Sequence, residues 1–353
     1  MLSPKSTRQW LLVEKPTDLP VLDGPSPTFK LESKGLPPLQ DDQVLIKTLY
    51  LSNDPAQRGW ISKDIKPDRL YTDPVKVNTP MHARGICEVV ESKSSSIEQG
   101  TKVLAAVGWS EFAVLDAKAV TPLPDLPGGL NITHYLGALG GTGITAYYGL
   151  KVVAEARASD SVVVSGAAGA TGSMVVQIAK KLIGCKRVIG IAGSDEKCNW
   201  VESLGADKCV NYKSPSFKED LIRETDGFVD VYFDNVGGAI LDLMFTRMAR
   251  GGRIAACGAI SGYNKSASKQ DGLKNWFDVI TMRIQIRGFI VMDYLHKRAE
   301  VLGIFRKAIE EGNLVIGADS EQVVPTKFED IPKTWMKLFE GSNTGKLVTA
   351  VQG

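Results

Sequence analysis

The chain has 353 residues, and its 42 lysines and arginines nearly balance its 40 aspartates and glutamates, giving a formal net charge of +2. A chain of this length can bury a large core and is expected to form two domains. The balanced charge lacks the basic excess that nucleic-acid binding needs. No apolar run approaches the roughly 20 residues that cross a bilayer, so no membrane partner is expected either.

The amino terminus and the cysteines favour a cytoplasmic protein. The apolar run Trp10–Val13 has four residues, whereas a secretory signal needs about 7–15. The five cysteines are scattered and form no C-x-x-C pair, which is typical of a chain kept reduced in the cytosol. The three histidines lack the spacing of zinc ligands, so we expect no bound metal.

The chain up to residue 132 is predicted to form a β-rich, barrel-like domain, because short β-branched runs alternate there with Gly, Pro, Asp and Ser. The predicted strands are Asp41–Ser52, Gly85–Ser92, Thr101–Val107 and Ser110–Asp116. The run GKLVTAV near the carboxyl end is expected to return to this domain as a strand. We therefore assign residues 1–132 and 312–353 to it.

Residues 133–311 show a different pattern, in which strands and helices alternate with short links. The predicted strands are Ser161–Gly166, Arg187–Gly193, Phe228–Gly238, Arg253–Ala259 and Arg283–Val291. Helices are predicted over Ser173–Ile183, whose apolar residues share one stripe, and over Asp195–Gly205. This alternation predicts an α/β fold with a doubly wound parallel sheet, the Rossmann arrangement.

A glycine-rich turn, SGAAGATGS, joins the first of these strands to the first helix. Gly166 would allow a tight exit from the strand, Gly169 would leave room for a pyrophosphate, and Gly172 would let the helix pack close to the strand. The amino end of the helix then offers free N–H groups to phosphates. The turn lies between a strand and a helix, the context that indicates dinucleotide binding.

The end of the next strand favours NADP(H) over NAD(H). An NAD site usually has an acidic residue about 20 residues after the turn, but Gly193 and Ser194 stand there. Lys197 follows, and a lysine with a serine hydroxyl can bind a 2′-phosphate. Asp195 could take the role of the missing acid, although it stands where a helix cap is expected.

These segments resemble the zinc-independent medium-chain dehydrogenases/reductases, and most of all the leukotriene B4 12-hydroxydehydrogenase, prostaglandin reductase and alkenal double-bond reductase group. GSDEK, FDNVGG and CGAISGYN are specific to that group. The matching segments, in family order, are 8–12, 49–60, 143–150, 166–173, 193–197, 204–213, 232–238, 252–264 and 341–346.

The resemblance implies a Rossmann cofactor domain and a GroES-like catalytic domain. It also implies NADPH-dependent reduction of the C=C bond of α,β-unsaturated aldehydes and ketones, without a metal. The cofactor-binding residues that it implies, together with Ser194, are Gly169, Ala170, Thr171, Gly172, Lys197, Tyr212, Asn235, Cys257, Gly258, Ala259, Ile260, Ser261, Gly262, Phe289, Ile290, Val291 and Asn343.

One departure from the family concerns the substrate. Many members have DPYMR where this chain has DPAQR, so Ala56 replaces an aromatic residue that faces the substrate. Substrate size and identity are therefore open. The Gly-His-Glu ligand motif of the zinc-dependent relatives is also missing near Ala83–Gly85.

Reduction of a conjugated carbonyl requires orientation of the two reacting carbons and a hydrogen bond to the carbonyl oxygen. Tyr263, in the loop after the predicted strand Arg253–Ala259, is the candidate donor, and packing on the cofactor alone is its alternative role. A cofactor ribose hydroxyl could share or replace the donor role. Asn53 is a second candidate for the substrate pocket, although an Asn before a turn with proline is commonly structural.

Three other functions stay open at this point: an NADPH quinone reductase, a zinc-free NADP-dependent oxidation of an allylic alcohol, and a cofactor-binding protein without turnover. A homodimer is expected because Arg283–Val291 is predicted at a sheet edge, and an uncovered edge tends to pair with another chain. The alternative is a monomer whose edge is protected by Arg283 and Arg287.

Overall fold

A computed structural model describes residues 4–352 of the chain. It contains two compact units. The β-rich unit comprises the chain up to Leu136, Gln322–Ser342 and the stretch from Leu347 onward. The parallel-sheet unit comprises Gly137–Glu321 and Asn343–Lys346.

Over the described residues the chain forms fifteen strands and nine α-helices. The strands are β1 (Ser6–Leu12), β2 (Phe29–Gly35), β3 (Gln43–Ser52), β4 (Gly85–Ser92), β5 (Lys102–Ala105), β6 (Phe112–Asp116), β7 (Val120–Pro122), β8 (Ser161–Ser165), β9 (Arg187–Ala192), β10 (Lys208–Asn211), β11 (Val229–Asp234), β12 (Met248–Ala256), β13 (Gln285–Gly288), β14 (Glu321–Lys327) and β15 (Lys346–Gln352). The helices are α1 (Gln57–Trp60), α2 (Gly141–Tyr148), α3 (Ala170–Gln177), α4 (Asp195–Ser203), α5 (Phe217–Glu224), α6 (Gly238–Phe245), α7 (Trp276–Thr281), α8 (Arg298–Glu310) and α9 (Ile331–Glu340).

Shorter helical segments supplement these elements. Two π-helical segments continue α2 and α3, over Gly149–Val153 and Ile178–Ile183. The 3-10 segments are Pro67–Arg69, Ala117–Ala119, Pro127–Gly129, Ile132–Leu136, Ile260–Gly262, Ala267–Lys269, Val291–Lys297, Ala318–Ser320 and Phe328–Asp330.

The β-rich unit is built on a seven-stranded sheet with the order β14-β15-β3-β4-β5-β7, in which β6 also pairs with β3. β1 and β2 form a separate antiparallel pair. An aromatic cluster occupies the core, with ring centroids 4.9 Å apart for Phe29 and Trp109 and 5.7 Å apart for Trp109 and Trp335. All three side chains are almost completely buried. The carboxyl-terminal strand thus joins the sheet of the amino-terminal residues, as its β-branched run predicts.

The parallel-sheet unit has six strands in the order β10-β9-β8-β11-β12-β13. All five neighbouring pairs are parallel. Val162, Val163 and Val164 of β8 have no exposed surface, as expected of a central strand covered on both faces. The predicted doubly wound sheet with a second β-rich domain is confirmed. The strand order reverses between β8 and β11, which opens a crevice at their carboxyl ends.

The division of the chain differs from the expected one near its carboxyl end. We expected residues 312–353 in the β-rich domain, but the stretch to Glu321 and the segment Asn343–Lys346 belong to the parallel-sheet unit. Hydrogen bonds from α3 explain part of this difference. The side chain of Gln177 donates to the backbone oxygen of Val315 at 3.3 Å and accepts from the Val315 N–H at 2.7 Å. The N–H of Gly345 also donates to the Ala168 oxygen at 2.8 Å.

Within residues 4–352, we find no helix with the length and apolar character needed to cross a membrane.

Candidate functional site

The glycine-rich turn has the close packing that its spacing predicts. Gly166 has a φ of +60°, which favours glycine. A Cβ on Gly172 would lie 2.2 Å from the Gly166 oxygen, so only glycine lets the helix approach β8 this closely. Helix α3 begins at Ala170, three residues before the expected start. Ala170, Thr171 and Gly172 therefore form its first turn, where backbone N–H groups lack intrahelical partners.

A buried carboxylate joins the carboxyl ends of β8 and β11. Asp234 Oδ1 accepts hydrogen bonds from Ser165 Oγ at 3.0 Å and from Tyr232 Oη at 2.8 Å. It also accepts from the backbone N–H groups of Val236 and Gly237, at 3.0 and 2.9 Å. Burial, followed by the nearby Asp234 charge, raises the pKa of Tyr232 well above its usual value. The tyrosine therefore stays a donor at neutral pH, and the network fixes the crevice between the two strands.

Asn235 follows directly after this carboxylate. Its N–H donates to Ser165 Oγ at 3.0 Å, and its side-chain amide donates to the Ser165 backbone oxygen at 2.7 Å. Both hydrogen bonds tie the end of β11 to the end of β8. Asn235 thus lies beside the glycine turn, and its side-chain N–H already has a structural partner.

The segment Asn343–Lys346 lies against the glycine turn. Gly345 forms an isolated bridge with Gly169, and its φ of +63° and the Ser320 oxygen, 2.1 Å from a would-be Cβ, leave room only for glycine. Lys197 Nζ donates to the backbone oxygen of Asn343 at 2.6 Å. The structure thus brings Asn343, Lys197 and Gly169, which are far apart in sequence, to one edge of the unit.

The start of α4 corrects our assignment of its cap. Ser194 is the cap, since its hydroxyl oxygen accepts from the N–H of Lys197 at 3.3 Å. Asp195 is instead the first helical residue, and its Oδ1 accepts from Asn211 Nδ2 at 2.9 Å. The Tyr212 ring packs over Gly193, where a Cβ would lie 3.0 Å from Tyr212 Cε1. Ser194, Lys197 and Tyr212 therefore lie at the ends of neighbouring strands β9 and β10.

A second lysine that the sequence reasoning missed belongs to this cluster. Lys213 Nζ lies 5.9 Å from the centroid of the Tyr212 ring. Burial lowers the pKa of Lys197, and the positive charge of Lys213 lowers it further. Two like charges held near each other favour an anion between them. The only sequence signal for Lys213 was its place beside Tyr212.

The loop from Cys257 to Tyr263 folds over the end of β11. The N–H groups of Cys257 and Gly258 donate to the Asp234 backbone oxygen at 2.9 and 3.1 Å, and Ser261 Oγ donates to Val236 O at 2.7 Å. Ala259 follows Gly258, and the next three residues form the 3-10 turn Ile260–Gly262. The loop therefore borders the crevice at the strand-order reversal.

Tyr263 and Cys257, both in this loop, differ in the chemistry that their side chains can perform. The Tyr263 hydroxyl accepts from the Ala259 N–H at 3.2 Å, and a phenol that accepts one hydrogen bond can still donate its own proton. Burial raises the pKa of the Cys257 thiol to about 12, with a further contribution from the Asp234 charge. The thiol is therefore protonated at neutral pH, which makes it a poor nucleophile.

Phe289, Ile290 and Val291 follow the edge strand β13. The Phe289 ring packs edge-on against Phe233, with centroids 6.1 Å apart. It also contacts Gly149, where a Cβ would lie 2.6 Å from Phe289 Cζ. The ring thus points into the core of the unit. The predicted strand Arg283–Val291 is shortened to Gln285–Gly288, so Ile290 and Val291 lie outside it.

Asn53 lies in the β-rich unit, in a structural position. It is 1% exposed, and its side-chain amide donates to Thr349 Oγ1 at 2.9 Å. Arg58, in the same DPAQR segment, is fully buried and donates to the backbone oxygens of residues 16–18. These contacts fix the DPAQR turn to its own unit.

Among residues 4–352, we find no group of three or more His, Cys, Asp or Glu side chains placed to hold a metal ion.

Two family models match the chain: the N-terminal domain of oxidoreductases over residues 8–123, and the zinc-binding dehydrogenase domain over residues 170–307. Prostaglandin reductase 1 of Mus musculus is 37% identical, with 91% of this chain and 93% of that protein covered. The NADP(+)-dependent 2-alkenal reductase of Nicotiana tabacum is 35% identical, with 89% of each chain covered. The chain belongs to the zinc-independent medium-chain dehydrogenase/reductase family. This confirms the resemblance and the expectation of an oxidoreductase.

A solved structure agrees with this assignment. CurA from Vibrio vulnificus, crystallised in complex with NADPH, superposes with a TM-score of 0.85 at 33% identity. The superposition covers 98% of this chain and 99% of CurA.

Proposed function

We propose that the protein uses NADPH to reduce the C=C bond of α,β-unsaturated aldehydes and ketones. The observation that carries the proposal is the cluster of Ser194, Lys197, Tyr212 and Lys213 beside the glycine turn, because it fits the 2′-phosphate of NADPH. Relatives support the reaction: one is named prostaglandin reductase and another 2-alkenal reductase. CurA, solved with NADPH, supports the cofactor.

The residues of the parallel-sheet unit fit this cofactor. The first turn of α3, from Ala170 to Gly172, with Gly169, would hold the pyrophosphate through backbone N–H groups. Ser194, Lys197 and Tyr212 would hold the 2′-phosphate, and Asn343 would contact the nucleotide next to Lys197. Asn235, the residues Cys257–Gly262 and the residues Phe289–Val291 would line the groove toward the nicotinamide. When bound, the nicotinamide supplies a hydride for the β-carbon of the substrate.

Tyr263 is proposed as the group that stabilises negative charge on the substrate carbonyl oxygen. Its hydroxyl accepts from the Ala259 N–H, and this contact fixes the position of the oxygen beside the crevice. Asn53 is a weaker candidate because its amide donates to Thr349. Donation by a cofactor ribose hydroxyl is the alternative to Tyr263, and a proton from water can then reach the α-carbon.

Tyr263→Phe separates the two roles of this residue. If the hydroxyl donates to the carbonyl oxygen, the variant loses about 10²-fold in kcat, while the dissociation constant of NADP+ changes little. Stopped-flow rates and calorimetry measure the two quantities. An unchanged kcat would assign Tyr263 to packing only.

The proposed reaction is tested on wild-type protein with NADPH and three acceptor classes. We expect oxidation of NADPH, read at 340 nm, with a short 2-alkenal or an enone, and a saturated carbonyl as product. Faster turnover of a quinone would favour the quinone reductase. Faster oxidation of an allylic alcohol with NADP+ would favour the zinc-free alcohol oxidation. Cofactor binding with no turnover of any of them would leave only a binding protein.

Lys197→Ala should weaken the binding of NADPH much more than that of NADH. Loss of one charged hydrogen bond to the 2′-phosphate corresponds to about 10-fold or more in KM. Lys218→Ala, an exposed lysine on α5, is the control. Equal losses for the two cofactors would remove Lys197 from the phosphate site.

We also propose a homodimer formed through β13. This strand lies at the edge of its sheet and is exposed along its whole length. On the preceding helix α7, Phe277 is 71% exposed and Ile280 is 62% exposed. Large apolar side chains exposed next to a sheet edge are typical of a surface that is buried by another chain.

The five cysteines are free thiols, so we further propose a cytoplasmic location, where such thiols persist.

Sedimentation velocity should give wild-type protein a mass of twice 38.2 kDa. The variant Phe277→Glu/Ile280→Glu should sediment as a monomer, whereas Val315→Glu, at a residue that is 60% exposed elsewhere on the unit, should remain dimeric. A monomeric wild type would refute the dimer.

A further inference from the structure

We propose that Asn211 and Lys213 determine the preference for NADPH over NADH: Asn211 fixes the carboxylate of Asp195, and Lys213 supplies a second positive charge for the 2′-phosphate. This inference rests on the proposed function, since it concerns the phosphate that distinguishes the two cofactors.

An acid stands close to where an NAD-type site would use one. β9 ends at Ala192, and Asp195 follows three residues later. A carboxylate at this edge accepts from the ribose 2′-OH of NAD(H) and repels a 2′-phosphate. A chain that prefers NADPH must therefore restrain this side chain.

Asn211 provides the restraint, because both ends of its amide are engaged. Its Nδ2 donates to Asp195 Oδ1 at 2.9 Å, and its Oδ1 accepts from the backbone N–H of Lys213 at 3.0 Å. The reversed amide would place its NH2 group against the Lys213 N–H and its oxygen against a carboxylate. Only one orientation satisfies both contacts, so Asn211 holds the start of α4 to the end of β10 and fixes the Asp195 carboxylate.

The second acid of this helical turn is also engaged. The backbone N–H of Glu196, the largest contribution, lowers the pKa of its own carboxyl group through a hydrogen bond. Both carboxylates lie in the first turn of α4, where negative charge stabilises the positive end of the helix. The acids therefore have partners that do not depend on the cofactor.

The lysines supply the complementary charge. Lys197 donates to the backbone oxygen of Asn343, which is a neutral acceptor. Lys213 lies over the Tyr212 ring and is close enough to lower the pKa of Lys197. A phosphate monoester carries about −1.5 to −2 charges at neutral pH, which two lysines match better than one.

The test is calorimetric binding of NADP+ and NAD+, which needs no turnover. Asn211→Ala should weaken NADP+ binding about fivefold and leave NAD+ binding unchanged or stronger, since the freed charge of Asp195 acts against the phosphate. Asn211→Asp, which places a carboxylate beside Asp195, should weaken it more. Asn199→Ala, an exposed asparagine of the same helix, is the matched control and should bind both nucleotides as the wild type does.

A double-mutant cycle separates positioning from general damage to the fold. In the Asp195→Asn background, Asn211→Ala should change NADP+ binding by less than about twofold, because no charge remains to restrain. The full fivefold loss in that background, or equal losses for NADP+ and NAD+, would overturn the role of Asn211.

Lys213→Ala should weaken NADP+ about threefold, reduce the salt dependence of binding and leave NAD+ unaffected. Lys218→Ala is its control, and identical values for the two variants would overturn the role of Lys213. Wild-type protein that binds NADP+ but reduces no alkene refutes only the proposed reaction. Wild-type protein that binds NAD+ as tightly as NADP+ overturns the selectivity itself.

Discussion

Helix α3 can approach the end of β8 only because residue 172 has no side chain. A single Cβ there would lie 2.2 Å from the Gly166 oxygen, far inside van der Waals contact. The close approach determines where the first helical turn points its N–H groups, and hence where an anion can lie. Gly345, which pairs with Gly169 of the turn, must also be glycine, because the Ser320 oxygen occupies the space that a side chain would need.

Polar groups at the crevice form hydrogen bonds with one another. Asp234 is buried, yet four donors surround its Oδ1. Burying a carboxylate costs free energy unless hydrogen bonds compensate for its lost hydration. Here the donors come from β8, from β11 and from the turn after β11. The strand ends are thereby held in register, and the Asp234 backbone oxygen also anchors the loop from Cys257 to Tyr263 by accepting from the N–H groups of Cys257 and Gly258.

The acidic and basic side chains beside the crevice serve different purposes. Acids at the start of α4 stabilise the helix, while lysines at the same edge suit a phosphate. These charges would cancel if the acids were free to turn toward the lysines. The hydrogen bond from Asn211 to Asp195 keeps the two sets distinct. Nucleotide selectivity at this edge therefore depends on neutral residues as well as on charged ones.

The order of strands and helices, the glycine turn and the family were readable from sequence, because β-branched runs, helical periodicity and local motifs are properties of neighbouring residues. Ser194 and Lys197 were found in the same way, from their place at the end of a predicted strand, and Tyr212 came from the family resemblance. Tertiary structure decided the rest. The roles proposed for Asn211 and Lys213 depend on contacts between β10 and α4. The assignment of Asn343–Lys346 to the parallel-sheet unit depends on hydrogen bonds to Lys197 and Ala168, which lie far earlier in the sequence. Periodicity records which face of an element is buried, but it contains no information about which distant backbone group a polar side chain will meet.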